Sequence, residues 1–364
     1  MHVDHLELVR FRNYEEAVFE PSPEGVTLLR GDNGAGKTNV LEAVGYVTTL
    51  RSFRGTGAAA LVRQGSEQAV LRAEVSREGR RVLVEVELNP AGRDRVRLNR
   101  QPLRRSSDLL SAVSSTVFTP DDIEVVKGGP GGRRDYLDDL LAALHPRNSE
   151  LLAELERVLR QRNALLRSSG GLLRAGMAET LDVWDAKLAQ TGELVAQARE
   201  ELVEALQPEV AAAYKALSAA PSEAGRQVVR LRYERSWQGP LAEAVARARS
   251  EDLRRAVTSA GPHRDDLVAT VNGLTSRGQS SQGEQRSLAL AIRLGGHALV
   301  TARQGSSPVL LLDDIFSELD PGRCAALAHC LPPGQALLTT AGAVPGELPV
   351  ARCYRVSAGT LTQL

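Results

Sequence analysis

Three observations predict an α/β fold: a mixed sheet with helices, carrying an inserted and mainly helical second domain. The first is GDNGAGKT (31–38), set between the strand-like VTLLR and the helix-spaced NVLEAVGYVTTL. The second is VLLLDD (309–314), a short apolar run bounded by Ser and Pro that reads as a buried strand of a parallel sheet. The third is a change of texture near residue 134, where two long Leu/Ala/Glu-rich stretches with helical spacing begin. Lys37 and Asp313 are 276 residues apart (313 − 37), too far for one compact domain, so the helical block interrupts it. The expected division is 1–111, then 112–255 for the insertion, then 256–364.

Taken in order, HLELVRF and AVFEP alternate as strands, and a Pro turn leads into GVTLLR. Residues 39–50 have helical spacing. Between about 58 and 104 lie short strands, QAVLRAEVSR and RRVLVEVELN among them, with turns at Glu78-Gly79 and Asn89-Pro90. YLDDLLAALHPRNSELLAELERVLRQRNALLR and MAETLDVWDAKLAQTGELVAQAREELVEALQPEVAAAYKAL are helices divided by the Gly-bearing SSGGLLRAG, and Pro208 is expected to kink or restart the second. Lengths of ~20–40 residues (~30–60 Å) suit a small bundle better than a coiled-coil arm. After GPHRDDL the strand and turn texture returns, followed by a helix from about 282 to 302. Cys324 and Cys330 fall on a helix after Asp320.

The 364 residues carry 45 basic and 45 acidic groups, for a formal net charge of zero, which excludes a nucleic-acid binder held by bulk positive charge. No apolar run approaches the ~20 residues of a membrane span, and MHVDHLELVRFRNY lacks the apolar core of a leader. Three cysteines without a CxxC spacing fit a reducing cytoplasm. Of the basic residues 41 are Arg (45 − 4) and four are Lys: Lys37, Lys127, Lys187 and Lys215. Locally, RDRVRLNRQPLRR (93–105) sets Arg93, Arg95, Arg97, Arg100, Arg104 and Arg105 against Asp94 alone. That stripe reads either as a solvated edge strand protected by charge or as a phosphate-tracking, DNA-binding surface.

The chemistry rests on three motifs. GDNGAGKT fits G-x-x-x-x-G-K-[ST] in the strand–helix context it requires, so Gly31, Asp32, Asn33, Gly34, Ala35, Gly36, Lys37 and Thr38 form a candidate ATP-binding loop. Its glycines let N–H groups curl around phosphates, Lys37 reaches the β- and γ-phosphates as a compact charge, and Thr38 ligates Mg²⁺. Asp313 is the second Mg²⁺ ligand, and Asp314 is placed to orient or deprotonate the attacking water. SSQGEQRSLALAIRL (280–294) opens a helix with Ser281 and Gly283 at its tip, a second anion-binding cap beside the SELD of 317–320. One chain already holds a complete phosphate loop, so this cap is expected to close on the nucleotide of another subunit. Read alone, Ser281 with Glu284 is an ordinary capping box.

Together GDNGAGKT, SSQGEQR, VLLLDD and SELD resemble the ABC-type P-loop ATPase head shared by transporters, SMC proteins and recombination proteins. FRNYEEAVFEP, FTPDDIEVVKGGPGGRRDYLD (118–138) and GPHRDDL (261–267) narrow the resemblance to the RecF family across essentially the whole chain. It implies an ATP-dependent DNA-binding protein of recombinational repair, replication restart and the SOS response. Such a protein dimerises head to tail on ATP and helps RecO and RecR place recombinase at gapped DNA. The resemblance makes Lys37 and Asp314 the hydrolytic pair and Gln64 a candidate for the loop that senses Mg²⁺ and nucleotide. Thr339 and Thr340 stand where transporters place a γ-phosphate-sensing His, and Asp314 stands where they place Glu. Both departures predict slow hydrolysis, a switch more than a motor. Lys127, Arg133 and Arg134 read equally as a docking loop and as DNA contacts, whereas His263 and Arg264 read better as a cap on the chain's return than as a catalytic corner. The competing classes are a transporter motor subunit, which needs a His switch, and an SMC-like chromosome protein, which needs far longer arms.

Overall fold

The computed structural model describes residues 1–105, 108–109, 112–172, 176–217 and 228–364. The break at 168–176 and the 111/112 boundary therefore lie partly outside the described residues. Two compact units are present. One comprises Met1–Asp122, Ala212–Arg226 and Arg286–Leu364; the other comprises Ile123–Ala211 and Gln227–Gln285.

The first unit contains two six-stranded sheets. In the antiparallel one, β1 (His2–Phe11), β2 (Tyr14–Phe19), β4 (Ala69–Arg77), β5 (Arg80–Leu88), β6 (Arg95–Leu98) and β7 (Gln101–Pro102) run in the order β2-β1-β4-β5-β6-β7. The other contains β3 (Gly25–Arg30), β8 (Ser115–Phe118), β12 (Val309–Asp313), β13 (Gln335–Thr340), β14 (Val350–Ser357) and β15 (Thr360–Gln363). Their order is β15-β14-β3-β13-β12-β8, parallel throughout except for the β14–β15 hairpin. Both β12 and β13 are buried along their whole length, as a central parallel strand requires.

Helix α1 (Lys37–Thr49) packs against β4 and β5 of one sheet and β8, β12 and β13 of the other. Its apolar residues point all round, with Val40, Leu41, Val44 and Val47 fully buried, as expected of a helix covered on every side. Because β3 leads directly into α1, residues 31–38 sit at the carboxyl ends of the parallel strands, where open α/β sheets bind ligands.

In the second unit, helices α2 (Pro130–Leu144), α3 (Pro146–Ser169), the greater part of α4 (Met177–Leu217) and α5 (Leu241–Arg255) accompany a small antiparallel sheet. It is ordered β11-β10-β9, with β9 at Val229–Glu234, β10 at Asp266–Val271 and β11 at Leu274–Thr275. Leu155, Val158, Leu188, Val195, Leu241 and Val245 form its core. Gly192 permits a close approach there, since a Cβ would lie 2.5 Å from Leu241 Cδ2. This unit ends at Gln285 where the sequence reading set 255, because β10 pairs with β9 from Asp266↔Glu234 to Val271↔Val229. Pro208 does not restart the helix: α4 is continuous through it, and Gln207 fastens that turn to β9 through Val229 O (2.9 Å) and Leu231 N (2.6 Å). Two further helices, α6 (Gln282–Gln304) and α7 (Pro321–Cys330), complete the chain, with Asp320 accepting from Arg323 N to cap α7. No helix among the described residues is long and apolar enough to cross a membrane.

Candidate nucleotide site

The loop 31–38 is shaped from below by its glycines. Gly34 and Gly36 have φ of +80° and +114°, in the region that favours glycine. At Gly31 a Cβ would lie 2.2 Å from Val356 O, so the chain leaves β3 against the backbone of β14. Asp32, Asn33 and Gly34 are exposed at the tip, while Gly36 and Lys37 are buried. Lys37 Nζ donates to Gly31 O (2.7 Å) and Asp32 O (2.9 Å), tying the base of the loop together. Gly36 is the N-cap of α1 and brings no side-chain acceptor, so the N–H groups of Lys37 and Thr38 carry no side-chain cap, an arrangement that suits an anion.

The turn joining β1 and β2 braces this loop, and the sequence reading missed it. Asn13 Nδ2 donates to Ala35 O (2.9 Å), Asn13 Oδ1 accepts from Asn39 Nδ2 (2.8 Å), and Tyr14 Oη donates to Gly36 O (3.0 Å). Burial raises the Tyr14 pKa, which keeps that donor protonated. Arg12 beside them grips the buried Glu42 carboxylate with Nε (2.8 Å) and Nη2 (2.7 Å). The one signal in the sequence was FRNY itself, read only as a family mark.

Thr38 Oγ1 donates to Asp313 Oδ1 at 2.8 Å across 275 residues of sequence, joining the loop to the end of β12. Thr339 Oγ1 donates to the same oxygen (2.7 Å) and accepts from Asp314 N (3.0 Å). Burial raises the pKa of Asp313, opposed by its two hydroxyl donors and by Arg54, whose charge also reaches it. Asp314 adopts a left-handed backbone (φ 47°), and its Oδ1 is buried without a hydrogen-bond partner. A hydroxyl and a carboxylate converging beside this orphaned oxygen form the hard-oxygen set that suits Mg²⁺.

The turn of Ser281 and Gly283 lies in the second unit. Ser281 N donates to Glu284 Oε2 (2.7 Å) and Ser281 Oγ accepts from Glu284 N (3.3 Å), a reciprocal capping box at the start of α6. Ser281 is exposed and Gly283 half-buried. Within the first unit, Arg286 donates to Glu318 O (2.6 Å) and Oε2 (2.8 Å), and Arg323 Nε donates to Ser287 Oγ (2.9 Å), which fastens SELD to the same helix.

Other expected residues fall elsewhere. Gln64 is exposed beyond Val62, and among the described residues no hydrogen bond links its side chain to the loop. The six arginines of 93–105 are all exposed along the β6–β7 edge. Arg95 and Arg97 face Glu87 and Glu85 of β5 in register, and Arg95 lies 3.5 Å from Glu87, so part of the stripe is a cross-strand charge ladder. Arg133 is buried and bidentate to Asp266 (2.6 and 2.8 Å), and Arg134 donates to Asp265 O, so both arginines are tied within the second unit. His263 contacts Thr258 O at 3.0 Å, and burial lowers its pKa to about 4, so it sits neutral at the corner.

The chain is similar to known proteins along its whole length. The family model described as RecF/RecN/SMC N terminal domain matches residues 2–337. The DNA replication and repair protein RecF of Frankia alni is 46% identical, over 99% of this chain and 98% of the relative. Its counterpart in Streptomyces avermitilis is 44% identical over the full length of both. Among solved structures, the recombination mediator protein RecF with ATP in the RecFOR pathway superposes with a TM-score of 0.90. It is 27% identical, over 100% of this chain and 97% of the other. An Smc head bound to the C-winged helix domain of ScpA has a TM-score of 0.58 at 17% identity, a likeness of fold.

Proposed function

The chain belongs to the RecF family, and on that premise we propose that it is an ATP-controlled DNA-binding protein of replication and recombinational repair. The observation that carries the reading is the Thr38–Asp313 hydrogen bond, which brings the phosphate loop and the acidic strand end into one site. The relatives' names, with ATP and the RecFOR pathway among them, support nucleotide binding and a role alongside RecO and RecR. The same family membership displaces the transporter and chromosome-protein alternatives.

In this reading Gly31–Gly36 wrap the phosphates with N–H groups, and Lys37 turns its ammonium from the loop carbonyls to the β- and γ-phosphates. Thr38 and Asp313 hold Mg²⁺, which when bound offsets phosphate charge. Asp314 orients the attacking water, as a slow hydrolytic residue acting with Lys37. Ser281 and Gly283 contact the nucleotide of a second protomer, so ATP joins two chains head to tail. Ser281 Oγ spends a lone pair on the cap and keeps its proton for a phosphate oxygen. A net charge of zero leaves the monomer weakly held by DNA, and pairing doubles the exposed arginines of the β6–β7 edge. The cytoplasm is the proposed place of action.

Sedimentation with and without ATP, repeated with gapped, single-stranded and duplex DNA, tests this. Wild type should pair on ATP and then hold DNA, and Lys37→Met should do neither. Ser281→Asp keeps the helix cap but brings a negative charge and no donor, so it should stay monomeric. Normal ATP-driven pairing of Ser281→Asp would refute the head-to-tail arrangement.

A further inference from the structure

We propose that Thr339 is a positioning residue for hydrolysis: its single hydroxyl sets the orientation of Asp313 and the backbone turn at Asp314 together. The proposal rests on the nucleotide-hydrolysing reading above and assigns a residue that acts through Asp313 and Asp314.

The geometry begins with strand register. Thr339 lies opposite Asp313 on β12 and opposite Leu29 on β3, and it is 1% exposed. β12 ends at Asp313, where the chain turns into the left-handed conformation of Asp314 and its N–H leaves the sheet ladder. Thr339 Oγ1 takes that N–H at 3.0 Å and passes its own proton to Asp313 Oδ1 at 2.7 Å. The result is a directed chain from Asp314 N–H through the Thr339 hydroxyl to the Asp313 carboxylate, in a buried setting where successive hydrogen bonds polarise one another. Thr38 donates to the same Oδ1, so both hydroxyls fix one oxygen and thereby the rotation of the whole carboxylate. No other side-chain type matches this arrangement. Valine has the shape without either bond, and serine has both bonds without the methyl group that fills the fully buried β13.

Two consequences separate positioning from packing. Groups that orient metal ligands typically cost 10–100-fold in metal affinity or activity when removed, so Thr339→Val should raise the half-saturating Mg²⁺ concentration by about tenfold or more. ATP retention in EDTA depends on the loop and Lys37, and should stay within about twofold, since among the described residues the Thr339 hydroxyl bonds only Asp313 and Asp314. The experiment measures ATP retention by equilibrium dialysis in EDTA and across a Mg²⁺ titration, with single-turnover hydrolysis alongside. Wild type, Thr339→Val, Thr339→Ser and Lys37→Met are compared after thermal melting establishes that each is folded. The expected result is a Mg²⁺ requirement and turnover impaired in Thr339→Val and restored to within about threefold of wild type in Thr339→Ser. Wild-type behaviour of Thr339→Val would overturn the proposal, as would a Thr339→Ser variant no better than valine, or a matching loss of retention in EDTA. If wild type itself retained no ATP, the nucleotide reading would fall first and this proposal with it.

Discussion

Removing the Arg12 guanidinium should open the first unit. Glu42 has no exposed side-chain area and receives Arg12 Nε at 2.8 Å, Arg12 Nη2 at 2.7 Å and Ser52 Oγ at 2.5 Å. Arg12→Ala strands that carboxylate in the core with hydroxyl partners only, and breaking a buried pair in this way costs about 3–5 kcal/mol. Arg12 also donates to Ala60 O and Thr56 Oγ1, contacts worth about 0.5–1.5 kcal/mol each in net terms. Both tryptophans, Trp184 and Trp237, lie in the second unit, so fluorescence would miss the effect. Amide exchange of β1, β2 and α1 reads it directly. From the buried pair alone, at about 1.4 kcal/mol per tenfold, protection there should fall by roughly two to four orders of magnitude. The double variant Arg12→Met/Glu42→Leu, which removes both charges and keeps the volume, should recover most of it. A loss below tenfold in Arg12→Ala, or a double variant as open as the single, would refute the reasoning.

Gly36→Ala should lower ATP retention by about tenfold or more in equilibrium dialysis, since a Cβ there would lie 2.5 Å from Asn13 Nδ2 in a backbone region costing an L-residue about 1–2 kcal/mol. Gly34→Ala, with nothing within 4 Å of the added carbon, should lose less. His297 sits between Thr116 Oγ1 and Ser307 Oγ, with burial lowering its pKa from 6.5 to about 4. The unfolded chain therefore takes up the proton first, and stability should fall by up to about 3 kcal/mol as pH drops from 6.5 toward 4. Buried Asp122 and Asp313 have raised pKa values and oppose that trend, so the measure is the difference in thermal midpoints, pH 7.5 against pH 5, between wild type and His297→Gln. For DNA, Arg93→Ala, Arg100→Ala and Arg104→Ala should each reduce the slope of log affinity against log salt by about 1, and Arg95→Ala by less because Glu87 already faces it.

Motifs that are local in sequence were legible. GDNGAGKT, VLLLDD and the helix opened by SSQGEQR each carry their own turn chemistry or burial pattern, so their elements followed from spacing. Residues whose role depends on what the fold brings beside them were not. Asn13 and Tyr14 reach the loop only because β1 and β2 turn back beside residues 35–39. Thr339 looked like a missing histidine, and only strand register puts its hydroxyl against Asp313. The strand texture after GPHRDDL was visible, but its partner β9 lies over thirty residues upstream, so the second unit extends past 255. Arg133 was ambiguous in sequence because a bidentate salt bridge to Asp266 and a phosphate contact call for the same side chain.

The lysine-poor composition gives the Lys37 clamp a use at the bench. Amine-reactive acylating reagents find only the chain's amino terminus and four side chains to modify. Of those, Lys215 is exposed, and Lys187 lies over the Trp184 ring at 5.7 Å. Lys37 is 6% exposed and spends its protons on two loop carbonyls. Any event that draws its ammonium away from Gly31 and Asp32 changes the acylation of one tryptic site against a background of only three other lysines and the amino terminus. The protein thus carries a built-in footprinting reporter at its phosphate loop, readable by mass spectrometry without label or tag.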